Sequence, residues 1–126
     1  MAEESIPPEL RRFILATLPS VPHLEALLLL RDRPEGLSND ALAARLYVAP
    51  ANAARLVADL AQAGLATVDD AGAHYAPSRA DVRATVDALA ATYARNVVAV
   101  SHLIHSTTDR KAFQFADAFR LRKEGE

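Results

Sequence analysis

The stretch from Ser38 to Ala76 constrains the fold most, because its residues predict two short helices and then a two-stranded ribbon. Ser38 is a favoured N-cap residue, and Leu37 and Leu42 occupy the two positions of a hydrophobic staple around it. These signals predict the first helix over Asn39–Leu46.

The second helix is predicted from its start, its end and its apolar face. A turn at Tyr47-Val48-Ala49 leads to Pro50, which suits the first position of a helix because the N–H that it lacks has no helical partner there. Gly64 is placed to end the helix with a positive φ, and Leu65 follows as an apolar anchor. The predicted buried face consists of apolar residues at helical spacing: Ala53, Leu56, Val57 and Leu60.

A short hairpin is predicted after the second helix. Ala66-Thr67-Val68 and His74-Tyr75-Ala76 are typical of strands, and the loop between them contains Gly72, which can supply a positive φ. Helix, turn, helix and hairpin in this order are the layout of a winged helix-turn-helix, in which the hairpin is the wing. We therefore expect a mainly α fold, a winged helix-turn-helix with a short β-hairpin wing and long flanking dimerisation helices.

Length and composition fit one globular domain. The chain has 126 residues, 51% of them hydrophobic, which predicts a single domain with N-terminal helices in 1–37, the core motif in 38–76 and a dimerisation helix and aromatic tail in 77–126. The net charge of −2 gives no basic field toward nucleic acid, and the lack of cysteine excludes disulfides and thiolate ligands. An acidic N-terminus without a long apolar run predicts a cytoplasmic protein with no membrane partner.

One long helix is predicted from Arg79 to His105, with Ser78 and Asp81 arranged like a capping box at its start. At ~1.5 Å per residue it would be roughly 40 Å long. Its apolar residues alternate steps of three and four, the spacing of a coiled-coil seam. Because a chain this small has little of its own to cover such a helix, we expect a homodimer whose interface includes this stripe: Val82, Val86, Leu89, Tyr93, Val97, Val100 and Ile104.

A final short helix is expected over Asp109–Leu121, and it carries Phe113, Phe115 and Phe119. These rings either pack into the core or across the dimer interface, or they form an amphipathic helix that docks in the groove of another protein. Binding to a membrane surface is not expected, because the segment is short and only weakly basic.

The stretch from Asp40 to Ala66 resembles MarR-type winged-helix regulators, most clearly in the pattern of the recognition helix. The similarity consists of Ala54-Arg55-Leu56-Val57 followed by Leu60, Gly64 and Leu65. It implies a homodimer joined through terminal helices, with two recognition helices in successive major grooves of double-stranded DNA. The wing departs from the family pattern, since Val68–His74 contains no Asp-Arg pair. Residues Ser101–Arg122 also resemble the C-terminus of small bacterial winged-helix proteins.

The residues expected to contact DNA lie on the two helices and the wing: Asn39, Arg45, Ala51, Asn52, Arg55 and His74. Arg55 can contact guanine in a bidentate manner, worth ~1–3 kcal/mol of discrimination, and Asn52 can contact adenine. The alternative for Arg55 is a solvated ion pair with Asp59, one turn later in the helix. From residue 38 to residue 76 there are two arginines and four aspartates, so this segment attracts phosphate weakly.

No catalytic or metal site is expected. His102 and His105 have a spacing that metals accept, but no cysteine or nearby acidic cluster supplies the remaining ligands. Ser101 beside His102 has no evident orienting acid or oxyanion donor, and the four glycines form no phosphate-binding loop. We expect no enzyme activity and no cofactor.

Two functions remain open on these observations. The first is a dimeric DNA-binding transcriptional regulator with the helix over 51–63 in the major groove. The second is a winged-helix interaction module with little or no DNA binding, which holds another protein through its wing or its aromatic tail. The Arg55 pattern favours the first, and the sparse basic charge favours the second.

Overall fold

The computed structural model describes residues 6–106. Over these residues the chain forms six helices and one hairpin, in this order: α1 (Pro8–Thr17), α2 (Val21–Arg31), α3 (Asn39–Leu46), α4 (Pro50–Gln62), β1 (Ala66–Asp69), β2 (Gly72–Tyr75), α5 (Ala80–Arg95) and α6 (Val97–Ser106). This arrangement confirms the mainly α, winged helix-turn-helix fold. The predictions for Phe113, Phe115 and Phe119 lie outside the described residues.

The centre of the core is α2, which is apolar on nearly every side and is packed against α3, α4 and β2. Leu24, Leu27 and Leu30 have no exposed surface. Ser20 caps this helix, because its Oγ accepts a hydrogen bond from the N–H of His23 at 3.3 Å. No described helix is by itself long and apolar enough to cross a membrane; α1 and α2 reach that length only as a pair bent by 105°.

The helix-turn-helix forms as its local signals predict. The Ser38 Oγ accepts from the N–H of Ala41 at 3.1 Å and caps α3. Tyr47 ends α3 in the left-handed region, at φ 59, and Pro50 is the first residue of α4. Gly64 follows α4 with φ 80, so the predicted glycine termination is confirmed. These local terminations bring α3 and α4 against each other around the buried Leu42 and Ala53.

The wing is a tighter hairpin than its sequence indicated. β1 and β2 pair antiparallel from Ala66 with Tyr75 to Asp69 with Gly72, which leaves a two-residue turn. Leu37 extends the ribbon, since its N–H and carbonyl both bond to Ala73, at 3.0 and 2.8 Å. Gly72 has φ 137, and a Cβ there would lie 2.3 Å from the Leu37 carbonyl oxygen. The expectation that Gly72 supplies a positive φ is confirmed, and the close approach of Leu37 is a second reason for glycine.

The single long helix predicted from Arg79 to His105 is wrong. Asn96 has φ −137 and ψ 59, which interrupts the helix and separates α5 from α6. The Asn96 carbonyl accepts from the N–H of Val100 at 3.1 Å, so this residue begins α6, and asparagine suits such a position. The capping box is also wrong at its first residue, because the N-cap of α5 is Arg79, not Ser78, and it has no side-chain cap bond.

The break changes what the apolar stripe does. Val86, Leu89 and Val100 have no exposed surface and Ile104 is 1% exposed, all within one chain. These side chains belong to the core cluster, so they do not form an open seam for a second copy. Of the stripe, Val97 is 49% exposed, and its neighbour Val98 is 79% exposed.

Candidate nucleic-acid interface

The outward face of α4 carries most of the residues that the sequence proposed for base contacts. Ala51, Asn52 and Arg55 are all exposed, whereas the opposite face of the helix is buried in the core. α4 has no side-chain cap at Ala49, and Pro50 contributes no N–H, so small residues surround its first turn. This end of the helix has little side-chain bulk to prevent a close approach to a partner surface.

Arg55 is the cation of this face, and it has no ion pair or hydrogen bond to any described residue. The alternative interpretation, an ion pair between Arg55 and Asp59, does not occur in the structure. The Asp59 Oδ2 instead lies 2.8 Å from His23 Nε2, a residue of α2 that is 36 positions away in the chain. The Arg55 guanidinium therefore extends into solvent with its donors unused by the described part of the chain.

A chain of hydrogen bonds holds Asp59 in that position. His23 Nδ1 lies 2.6 Å from Ser20 Oγ, and the His23 side chain is 11% exposed while that of Asp59 is 47% exposed. A carboxylate only accepts, so Nε2 of His23 carries the proton toward Asp59. In the neutral ring, Nδ1 then accepts from the Ser20 hydroxyl. Sequence reasoning missed this set, because nothing local relates His23 to Asp59.

Two further candidates lie on α3 and its turn. Asn39 is in the first turn of α3 and Arg45 is in its last turn, and both are exposed without a hydrogen bond or ion pair to a described residue. Tyr47 follows with 94% of its surface exposed and a positive φ, which is uncommon for a residue with a bulky side chain. The sequence marked Tyr47 only as part of a turn. Its exposure next to α4 makes it a member of the candidate face.

His74 is less accessible than the sequence prediction of a DNA contact from the wing requires. Its Nε2 is buried and lies 3.1 Å from Asp69 Oδ2, and a Cβ on Gly36 would lie 2.5 Å from its Nδ1. The ring is therefore packed against the Gly36 backbone and the Asp69 carboxylate, and only 30% of the side chain is exposed. The His74 ring lies along the wing between Asp69 and Gly36 and does not extend from it.

Asp69 is engaged inside the wing as well. Its Oδ1 accepts from the N–H groups of Ala71 and Gly72 at 2.9 and 3.1 Å. Desolvation acts to raise the pKa of the Asp69 carboxyl, but the Ala71 N–H and the His74 ring outweigh it, and the pKa is lowered below its usual 3.8. Asp70 is exposed at the tip, and Val68, two residues before it, is 55% exposed. The wing thus has no cation to offer a phosphate.

The other end of the wing is attached to α5. The Arg83 guanidinium lies 5.1 Å from the centroid of the Tyr75 ring, a cation–π distance. Burial raises the pKa of the Tyr75 hydroxyl, which has no hydrogen-bond partner among the described residues. Arg31 of α2 bonds to Asp87 of α5 at 2.9 Å. These contacts join the wing and α5 to the core of the protein.

The described residues contain no group of three or more potential metal ligands. His102 and His105 are both exposed on α6, and Ser101 is hydrogen-bonded to Tyr93. Burial raises the pKa of Tyr93, and the charge of Glu25 adds to that effect.

An open groove of about 410 Å³ lies between α1 and α5, lined mainly by apolar side chains, with Glu9 and Asp81 also among its lining residues. It lies apart from the α3–α4 face.

The geometry defines a class: a helix-turn-helix whose second helix exposes one face and whose hairpin packs behind it. A comparison with protein-family models agrees, because residues 24–70 match the model described as the IclR helix-turn-helix domain. That match covers less than half of the chain and runs from α2 to the tip of the wing. It supports the predicted helix-turn-helix class and names the IclR type rather than the MarR type. No curated protein and no solved structure matches the chain.

Proposed function

We propose that this protein is a transcriptional regulator that binds double-stranded DNA with α4 in the major groove. The observation that carries the proposal is Arg55, exposed on the outward face of α4 and free of ion pairs within the described residues. Arginine is the side chain that most often contacts guanine O6 and N7 in the major groove. Asn52 lies one turn before Arg55 on the same exposed helix and is suited to adenine.

Contacts to the phosphate backbone come from α3 and the turn. Arg45 supplies charge, Asn39 and the Tyr47 hydroxyl supply neutral donors, and the small Ala51 permits a close approach at the start of α4. Asp69 is hydrogen-bonded within the wing and Asp59 to His23, so neither carboxylate is paired with Arg45 or Arg55. The regulator acts in the cytoplasm, on the DNA of a bacterial cell.

The regulator is a homodimer in this proposal, with the exposed apolar residues of α6 at the interface in place of the buried stripe. Val97 and Val98 lie side by side at the start of α6, directly after the break at Asn96. Tyr93 lies one turn earlier, at the end of α5, and is half-buried. Light scattering tests this directly: the wild-type chain is expected to have the mass of a dimer, and Val98→Asp the mass of a folded monomer.

The experiment for DNA binding is a fluorescence-anisotropy titration with duplex from upstream of the protein's own gene and with random duplex. Binding through two to four phosphates predicts an affinity that falls about 10- to 150-fold between 50 and 200 mM salt, from a slope of −0.9 per phosphate. Arg55→Ala should weaken specific binding by roughly 5- to 150-fold, as expected for the loss of a bidentate base contact. Arg12→Ala on α1, an exposed arginine outside the motif, is the matched control and should bind as the wild type does.

No binding to either duplex at low salt would exclude the regulator. In that case the second candidate, a protein-interaction module, is favoured by the wing itself. Its tip offers the exposed Val68 and the charge of Asp70 but no cation, which suits a protein surface better than a phosphate. The aromatic tail is the other candidate contact, and Phe115→Ala and Phe119→Ala should then release a bound protein without changing the oligomeric state.

A further inference from the structure

We infer that His23 is a positioning residue for the proposed DNA contact: it binds the Asp59 carboxylate and so keeps Arg55 available. The inference rests on the proposed function. It concerns how Arg55 stays available to DNA although the carboxylate of Asp59 lies one turn away on the same helix. Arg55 and Asp59 are four residues apart on α4, where side chains are neighbours on the helix surface. Opposite charges at this spacing attract each other weakly.

The structure has a different pairing. Asp59 Oδ2 is 2.8 Å from His23 Nε2, and no ion pair joins Asp59 to Arg55. His23 reaches Asp59 from α2, which packs against the inner side of α4. The carboxylate is therefore drawn toward the body of the protein, while Arg55 remains on the exposed face.

Ser20 makes this pairing specific. The Ser20 Oγ accepts from the backbone N–H of His23 and also lies 2.6 Å from its Nδ1. The hydroxyl thus orients the imidazole plane, and Nε2 is left aimed at Asp59. Because the His23 side chain is only 11% exposed, the ring cannot turn to solvent without repacking. Hydrogen bonds thus connect Ser20, through the His23 ring, to Asp59 in the third turn of α4.

The consequence for DNA is electrostatic. A free Asp59 carboxylate would compete with a base or a phosphate for the Arg55 guanidinium, and a surface pair at this spacing shifts an equilibrium by about twofold. By drawing the carboxylate toward α2, His23 prevents that competition, and His23→Ala should lower DNA affinity about twofold.

The test is a double-mutant cycle measured as DNA affinity, with wild type, His23→Ala, Asp59→Asn and the double variant. We expect His23→Ala to weaken binding in the presence of Asp59 and to have no effect once residue 59 is asparagine. We also expect Asp59→Asn alone to bind at least as tightly as the wild type. Asp40→Asn, an exposed aspartate on α3, is the control for the loss of one negative charge.

A purely structural link between α2 and α4 gives a different result for the double variant. An asparagine at position 59 can still accept from His23 Nε2, so if the pair only held α4 in place, His23→Ala would weaken binding equally with aspartate or asparagine at position 59. Should His23→Ala fail to fold by circular dichroism, Ser20→Ala, which removes the hydroxyl that orients the ring, takes its place in the cycle. If the wild type binds DNA and Asp59→Asn binds more weakly, the inference about His23 is overturned and the proposed function stands. If the wild type does not bind at all, both are overturned.

Discussion

The substitution Gly72→Ala tests how the wing is joined to the rest of the motif. A Cβ at this position would lie 2.3 Å from the Leu37 carbonyl oxygen and 2.7 Å from its carbon, well inside van der Waals contact. The Leu37 backbone cannot move aside freely, because its carbonyl and N–H are both bonded to Ala73. Relief of the clash therefore requires that the wing separate from Leu37.

The expected cost follows from what is lost. Each of the two hydrogen bonds contributes about 0.5–1.5 kcal/mol, and a residue with a Cβ held at φ 137 adds strain of order 1–3 kcal/mol. We expect Gly72→Ala to lower the free energy of unfolding by about 3 kcal/mol, or the melting temperature by roughly 10 °C for a chain of this size.

The measurement is urea and thermal unfolding followed by circular dichroism. Gly64→Ala is the matched control, since Gly64 also has a positive φ, but its Cβ would meet only the Ser78 side chain, with Oγ at 3.0 Å and Cβ at 3.7 Å. That side chain can rotate, so the cost should be about 1 kcal/mol. If Gly72→Ala unfolds no more easily than Gly64→Ala, the bridge between Leu37 and the wing does not hold the hairpin and the reasoning fails.

Two further substitutions test the local contacts of the motif. Ser38→Ala removes the cap of α3 and should cost about 1 kcal/mol in urea unfolding; Ser78→Ala, whose hydroxyl bonds to no described residue, should cost less than half of that, and equal losses would contradict the cap. Asp69→Asn tests the lowered pKa of the wing carboxyl. A lowered pKa stabilises the folded state fully above the usual value of 3.8, and that stability is lost as the pH falls through the folded pKa. Wild type and Asp69→Asn should therefore differ in stability at pH 6 and converge near pH 2, and an unchanged difference across that range would refute the assignment.

The helix-turn-helix was predictable because its signals are local. Ser38 caps the helix that starts at the next residue, Pro50 begins α4, and Gly64 ends it, each within a few residues of the backbone group that it serves. The outward placement of Asn52 and Arg55 followed from helical periodicity alone. Sequence reasoning also identified Gly72 as a positive-φ residue, although the contact that makes a larger residue costly there comes from Leu37.

Long-range packing decided the rest. The apolar stripe of the C-terminal half has coiled-coil spacing, but the break at Asn96 lets Leu89 and Val100 both bury in one core. Periodicity records which residues avoid water and not which surface covers them, so a dimer seam and an intramolecular core have the same pattern. The pairing of His23 with Asp59 is a contact of the same kind, because only the packing of α2 on α4 brings these residues together and separates Asp59 from Arg55. Local backbone chemistry thus determined the motif, and tertiary packing determined which of its charges remain free.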